Sequence, residues 1–338
     1  MELKNDELIC HFPEVHPKAR LRITFQRTLR IPDDDSVYPL PPGLGRFPLR
    51  HVDDFPKRAP PTWLAHGGVM LPIYQAEAMW LSFDPEYLDR HEAAWPFAIK
   101  IATGKIDAVS GNSWQAGLHR DPQDYLVAPE QPWLDGWCVA EGEIRQFVAM
   151  PQGRGYTAEE QLTGKAEHGG LQIQVVPMGR EAFERRFPVQ PRRSRGSMVL
   201  ACPSAPELEM GLAPGGRMRQ AIERDPYDLA DWHATASSRC FVHLANSERW
   251  RSITGKKPPT KPLSARDYTE AGLPWFDWYD ERSQPLPEAG ILGTLQSVAT
   301  LGRIRREKPL PENASVMAQP VVSLRAGLAP GQVREGGF

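Results

Sequence analysis

Thirty-four prolines are spread through the 338 residues of this chain, about twice the usual share. They are densest at residues 39–42, 56–61 and 258–262. Proline fixes its own φ and removes a backbone donor, so it shortens helices and confines strands to brief runs. Ten tryptophans suit the same outcome, because indoles pack well on pleated surfaces and under loops. The expected product is an assembly of short strands joined by ordered loops.

Hydrophobic patterning supports this. Residues 20–31 alternate, with Leu21, Ile23, Phe25, Leu29 and Ile31 in one register and Arg20, Arg22, Thr24 and Gln26 in the other. That is the period of a half-buried strand. Residues 95–101, 105–109, 125–128 and 171–176 read as further strands, and residues 67–72 as a short one. Glu141-Gly142 lies between two β-patterned runs, 137–140 and 143–149, and predicts a hairpin. Within that second run, Arg145 and Gln146 sit among Ile144, Phe147 and Val148. At least one of the two polar side chains must therefore be buried with a partner, such as Glu160 or Asp135.

The expected fold class is α+β, with a β-rich N-terminal portion (a sandwich or open barrel of short strands) and a smaller mixed C-terminal portion. The boundaries read as a lead-in over 1–19, a β-rich domain over 20–184, a basic Pro/Arg linker or loop over 185–197, a mixed portion over 198–308 and a weakly ordered tail over 309–338. Residues 288–304 carry an apolar stripe through Leu292, Leu295 and Ala299, which predicts one helix. Residues 211–224 end in a helical run. Ser264 to Asp267 has the spacing of a capping box, with Gly272 as the stop.

Charge is balanced at −2, so no global field favours nucleic acid or an anionic membrane. No apolar run approaches the roughly 18 residues of a membrane span, and the polar, acidic N-terminus does not read as a signal peptide. The four cysteines, Cys10, Cys138, Cys202 and Cys240, form no CxxC pair and read as reduced thiols, which points to the cytoplasm.

Residues 133–178 are the densest in glycine and functional side chains. Thr157 and Glu160 have capping-box spacing, and the Gly153-Arg154-Gly155 turn leads into that helix start. Exposed N–H groups there suit a small anionic or polar ligand, contacted by Gly153, Arg154, Gly155 and Gln161. His168, Glu160 and Arg145 are the catalytic candidates nearby, joined by His119, which Asp121 would orient across an extended His-x-Asp. Glu159, Glu160 and Glu167 make a divalent metal the competing occupant, although no metal-ligand spacing or cofactor motif is present. Cys240 and His243 read as core, Gly215-Gly216-Arg217 as a weak anion cradle, and residues 275–281 as an aromatic-acidic cluster.

Two functional classes follow. The absence of a recognisable catalytic motif favours a non-catalytic interaction or assembly protein with a protein or small polar partner. The polar residues between 145 and 170 favour a hydrolase-type enzyme.

Overall fold

In the computed structural model, which describes residues 1–34, 36–189, 210–278, 286 and 290–324, the alternating segment becomes the strand Arg20–Leu29. Leu21, Ile23 and Phe25 turn inward and are fully buried. Arg27 shares their register and is buried with them. Its guanidinium pairs with Glu77, itself fully buried, on the neighbouring strand Glu77–Pro85. Arg27 lies opposite Met79 and Leu29 opposite Glu77, so the two charges meet diagonally on one face. Leu44 O and Lys261 O accept further guanidinium N–H groups. Burial of a charge is tolerable only with such compensation.

Two large sheets organise the described residues. The first has ten strands, following the order Glu2–Lys4, Glu7–His11, Arg20–Leu29, Glu77–Pro85, Glu143–Pro151, Met210–Arg219 and Val37–Tyr38, with three short strands branching from this path. The second has seven and follows the order Ile106–Asp107, Phe97–Thr103, Leu171–Pro177, Ser238–Ala245, Val69–Pro72 and Arg50–His51, with Leu126–Ala128 beside Phe97–Thr103. Within these two sheets pairing is antiparallel apart from Val37–Tyr38 on Met210–Arg219 and Val69–Pro72 on Ser238–Ala245. Ile23, Phe25, Leu81 and Phe147 of the first sheet pack in one apolar cluster with Phe97, Ile99, Ile173 and Val242 of the second. The chain is thus α+β and β-rich, with strands from both halves of the sequence in both sheets. No described helix is long and apolar enough to cross a membrane.

The predicted hairpin forms. Gly136–Ala140 pairs with Glu143–Pro151, Trp137 opposite Arg145, around a turn in which Gly142 has φ +71°. Both local capping boxes also form, at Thr157/Glu160 and at Ser264/Asp267.

Other expectations change. Residues 288–304 do not make one helix. Leu292–Thr294 is a single 3-10 turn, the chain then extends at Leu295, and Ser297 caps a new helix over Val298–Ile304. Gly290 and Gly293 weaken the first part, and a Ser N-cap starts a helix rather than continuing one. The stripe is still used, since Leu292, Leu295 and Val298 are buried and Ala299 half-buried. Met210–Arg219 is a strand, and residues 220–224, where a helical run was expected, are not helical. A Cβ on Gly215 would lie 2.6 Å from Val148 Cγ1, and one on Gly216 would lie 2.3 Å from Pro32 O. The paired glycines therefore admit neighbouring chain into the sheet and leave no anion cradle. Of the expected linker, Arg185 and Arg186 close the helix Arg180–Arg186 and both reach buried Asp231 at 2.5 Å; residues 190–197 lie outside the described residues. Of the expected tail, Val321–Leu324 pairs in parallel with Trp275–Trp278; residues 325–338 lie outside, as do 279–281 of the aromatic-acidic cluster. His243 stacks on Trp63 and bonds Gly67 O at 3.0 Å, a core placement that lowers its pKa to about 4 through desolvation.

Because Leu295 is buried at the join between the 3-10 turn and the helix, Leu295→Ala is expected to cost about 2–5 kcal/mol. Urea denaturation measures it. A loss under about 0.5 kcal/mol, typical of surface substitutions, would mean that this segment does not pack as described.

Candidate active site

The strand Phe97–Thr103 is buried along its whole length, yet it carries Lys100 at its centre. The side chain leaves the sheet on the face covered by residues 113–124. There its ammonium group bonds Asp124 Oδ2 at 2.7 Å, Gly117 O at 2.8 Å and Gln115 O at 2.9 Å. The ring of Trp114 lies 5.1 Å away. Three donors meet three acceptors, which is what makes a buried ammonium tolerable. The same contacts fasten one loop to one strand.

Asp124 has a second role. Its Oδ1 accepts the backbone N–H of His119 at 2.8 Å, and its Oδ2 lies 2.7 Å from His119 Nδ1. A carboxylate on Nδ1 selects the tautomer that leaves Nε2 with a free lone pair. The expected orienting residue was Asp121. The chain turns at Asp121-Pro122, and Asp124 returns to His119 instead.

Asp107 completes the constellation. It follows the turn at Gly104-Lys105 and opens another, with Oδ1 accepting from Ser110 N at 2.8 Å, Val109 N at 3.0 Å and Ser110 Oγ at 3.0 Å. Its Oδ2 is buried and has no hydrogen-bond partner among the described residues. Desolvation, with a smaller contribution from the Asp124 charge, pushes this carboxyl up to about 7 against the opposing bonds from Ser110 and Val109. Lys100, Asp107, Ser110, His119, Asp121 and Asp124 line one pocket of 210 Å³. A larger cleft of 590 Å³ adjoins it, sharing Ser110, Asn112, Asp121 and Pro122 and adding Arg120 and Arg224.

The residues expected between 145 and 170 are not gathered into one site. Arg145 is buried as anticipated, but its acidic partner is Asp33, at 3.4 Å, and not Glu160 or Asp135. Gly215 O is a further acceptor, at 3.0 Å. Gln146 is buried too, accepting from Ile31 N and donating to Leu29 O. Glu160 closes its capping box and also takes the Gly155 N–H at 2.7 Å. Gln161 bridges Tyr156 O and both backbone groups of Gln296. Gly153 and Arg154 are exposed, and the carbonyls of Arg154 and Gly155 accept from Arg305. His168 donates its backbone N–H to Glu159, while its half-buried ring lies in electrostatic range of His66 and Glu167.

Sequence spacing suggested that backbone N–H groups in this region would meet a small anionic ligand. Several N–H groups here instead meet the chain's own carboxylates. Glu159 takes the N–H groups of Glu167, His168 and Gly169 at 2.8–2.9 Å. Gly104 makes room for it, since a Cβ there would lie 2.4 Å from Glu159 Oε2. Among the described residues, no group of three or more His, Cys, Asp or Glu is arranged to hold a metal ion.

Lys100, Asp107 and Asp124 went unread in the sequence. Lys100 alone had a signal there, a single charge inside the apolar run WPFAIKI. The chain matches no known protein family, no curated protein and no solved structure.

Glu159→Ala should strand three backbone donors, one buried and two part-buried, and destabilise the protein by about 2 kcal/mol. Glu159→Gln, which keeps one acceptor, should cost less. Chemical denaturation separates the two, and equal, negligible losses would show that the loop holds without the carboxylate.

Proposed function

We propose that this chain is a hydrolase-type acid–base enzyme for a small polar substrate carrying negative charge. The observation that carries the proposal is the shared pocket of His119, oriented through Nδ1 by Asp124, and Asp107, whose Oδ2 is buried without a hydrogen-bond partner among the described residues. Two titratable groups held in different environments within one pocket divide naturally into a base and an acid. In this reading His119 Nε2 removes a proton from water as the water oxygen attacks the substrate. Asp107, neutral below about 7, gives its proton to the departing group. Lys100 is a positioning residue, because its donors are all used within the protein. Arg120 and Arg224, on the wall of the adjoining cleft, supply the charge that favours an anionic substrate.

The expected catalytic set thus narrows to His119, while Glu160, Arg145, Gly155 and Gln161 belong to the framework. A reducing, cytoplasmic setting fits three free thiols at Cys10, Cys138 and Cys240, each raised by burial. The near-neutral charge argues for a small-molecule partner rather than nucleic acid.

Hydrolysis of a panel of carboxylate- and phosphate-bearing esters and amides tests this. His119→Ala and Asp107→Asn should each lower turnover by about 10²–10⁴-fold, while Arg154→Ala should leave it unchanged. Hydrolysis that survives both pocket substitutions would overturn the assignment, as would a panel with no turned-over member. Stability gives a second readout. Asp107 has a raised pKa in the folded chain, so the native state holds a proton that the unfolded state releases. Stability should therefore fall as pH rises from the ordinary carboxylate range through about 7. Asp107→Asn should flatten that fall and melt at a higher temperature than the parent at pH 8. A steeper fall in the variant would contradict the burial of a proton at this site.

A further inference from the structure

A second buried carboxyl stands in very different surroundings. Asp135 lies between the short strand Trp133–Leu134 and the strand Gly136–Ala140. Its backbone is pinned on both sides, the N–H donating to Gln220 Oε1 at 2.9 Å and the carbonyl accepting from Phe147 N at 3.3 Å. Asp135 lines a groove of 350 Å³ whose other walls include Trp80, Trp133, Phe276, Met218 and Pro42. That volume is in the range of small-molecule pockets, about 300–1,000 Å³. Paired backbone bonds between Leu40 and Phe276, at 2.7 and 2.9 Å, fix two of the walls relative to each other.

The groove is poor in polar groups. Thr28 Oγ1, on its wall, already donates to Pro42 O at 2.8 Å. Asp135 is the one acidic or basic side chain among the described lining residues. The Trp133 indole hydrogen-bonds its carboxyl, but Oδ2 is buried with no partner among the described residues. Desolvation accordingly raises this carboxyl to about 7. Among the described residues no cation pairs with this carboxyl, and a carboxyl held so against aromatic walls is unfavourable until a cation arrives.

We propose that this groove binds a small organic cation, an alkylated ammonium group, with Asp135 as its counter-ion and Trp80, Trp133 and Phe276 as its aromatic walls. Aromatic faces attract such cations through their quadrupoles, most strongly where water is excluded. A primary ammonium or a guanidinium would bring three to five N–H donors, more than one carboxyl can satisfy. A quaternary or tertiary ammonium brings none or one, and its methyl groups match the apolar walls. The site is separate from the pocket of His119 and Asp107, with no lining residue in common.

Choline chloride titrated into the intact chain, followed by tryptophan fluorescence and calorimetry, tests the proposal against its uncharged carbon isostere, 3,3-dimethylbutan-1-ol, at constant ionic strength. Choline should bind, and the isostere should bind about tenfold more weakly. Asp135→Asn should weaken choline about tenfold and leave the isostere unchanged. Trp80→Leu, at a half-buried position, should weaken choline while the melting temperature holds, and it decides the matter if Asp135→Asn does not fold. Equal binding of choline and isostere, no saturable choline signal, or undiminished choline affinity in a folded variant would each overturn the proposal.

Discussion

The polar face of the second sheet depends on one ammonium group. Lys100 projects from the middle of a fully buried strand, where an unsatisfied charge could not remain. Its three acceptors come from residues 115, 117 and 124 of one loop, so satisfying the ammonium also dictates where that loop lies. The position of Asp124 fixes the orientation of His119, and the shape of the pocket follows. A single requirement for charge neutrality thus sets the geometry of the candidate active site, with little help from regular structure within the loop itself.

The same device recurs across the molecule. Short strands and proline-broken loops offer few long apolar stripes, so polar side chains hold distant segments together. Arg27 and Glu77 join two strands and draw in the carbonyls of Leu44 and Lys261. Asp33 accepts from Arg145 on one oxygen and from Ala299 N on the other, tying the sheet to the helix Val298–Ile304. Glu159 organises the turn at residues 167–169. Each is a buried charge with several partners. Asp107 and Asp135 differ, because each combines an oxygen without a hydrogen bond with the lack of a cationic partner among the described residues. That contrast singles out these two carboxyls from the structural ones.

Features governed by neighbours in sequence were legible. Alternation located the strand Arg20–Leu29, the Glu141-Gly142 turn located a hairpin, and two capping boxes located short helices. Each rests on interactions within a few residues. The stripe at residues 288–304 misled because periodicity records which residues are buried, and Leu292 and Leu295 are buried without belonging to one helix. The candidate site was legible only at His119. Its partner Asp124 depends on the sense of a turn, and Asp107 acquires its character from burial that no local pattern encodes. Burial of at least one of Arg145 and Gln146 was legible, but Asp33, the partner of Arg145, is more than a hundred residues away in the chain, out of reach of spacing arguments.

The order of the strands also bears on how the protein is made. Val69–Pro72 and Leu171–Pro177 lie on either side of Ser238–Ala245, so the strand that joins them leaves the ribosome long after both. Until then each presents an open backbone edge, and the apolar residues of Leu171–Pro177 are incompletely covered. Pairings between segments far apart in sequence form slowly, and exposed edges invite association with other chains. Synthesis of this protein therefore passes through a stage at which the strands that flank Ser238–Ala245 are present without it.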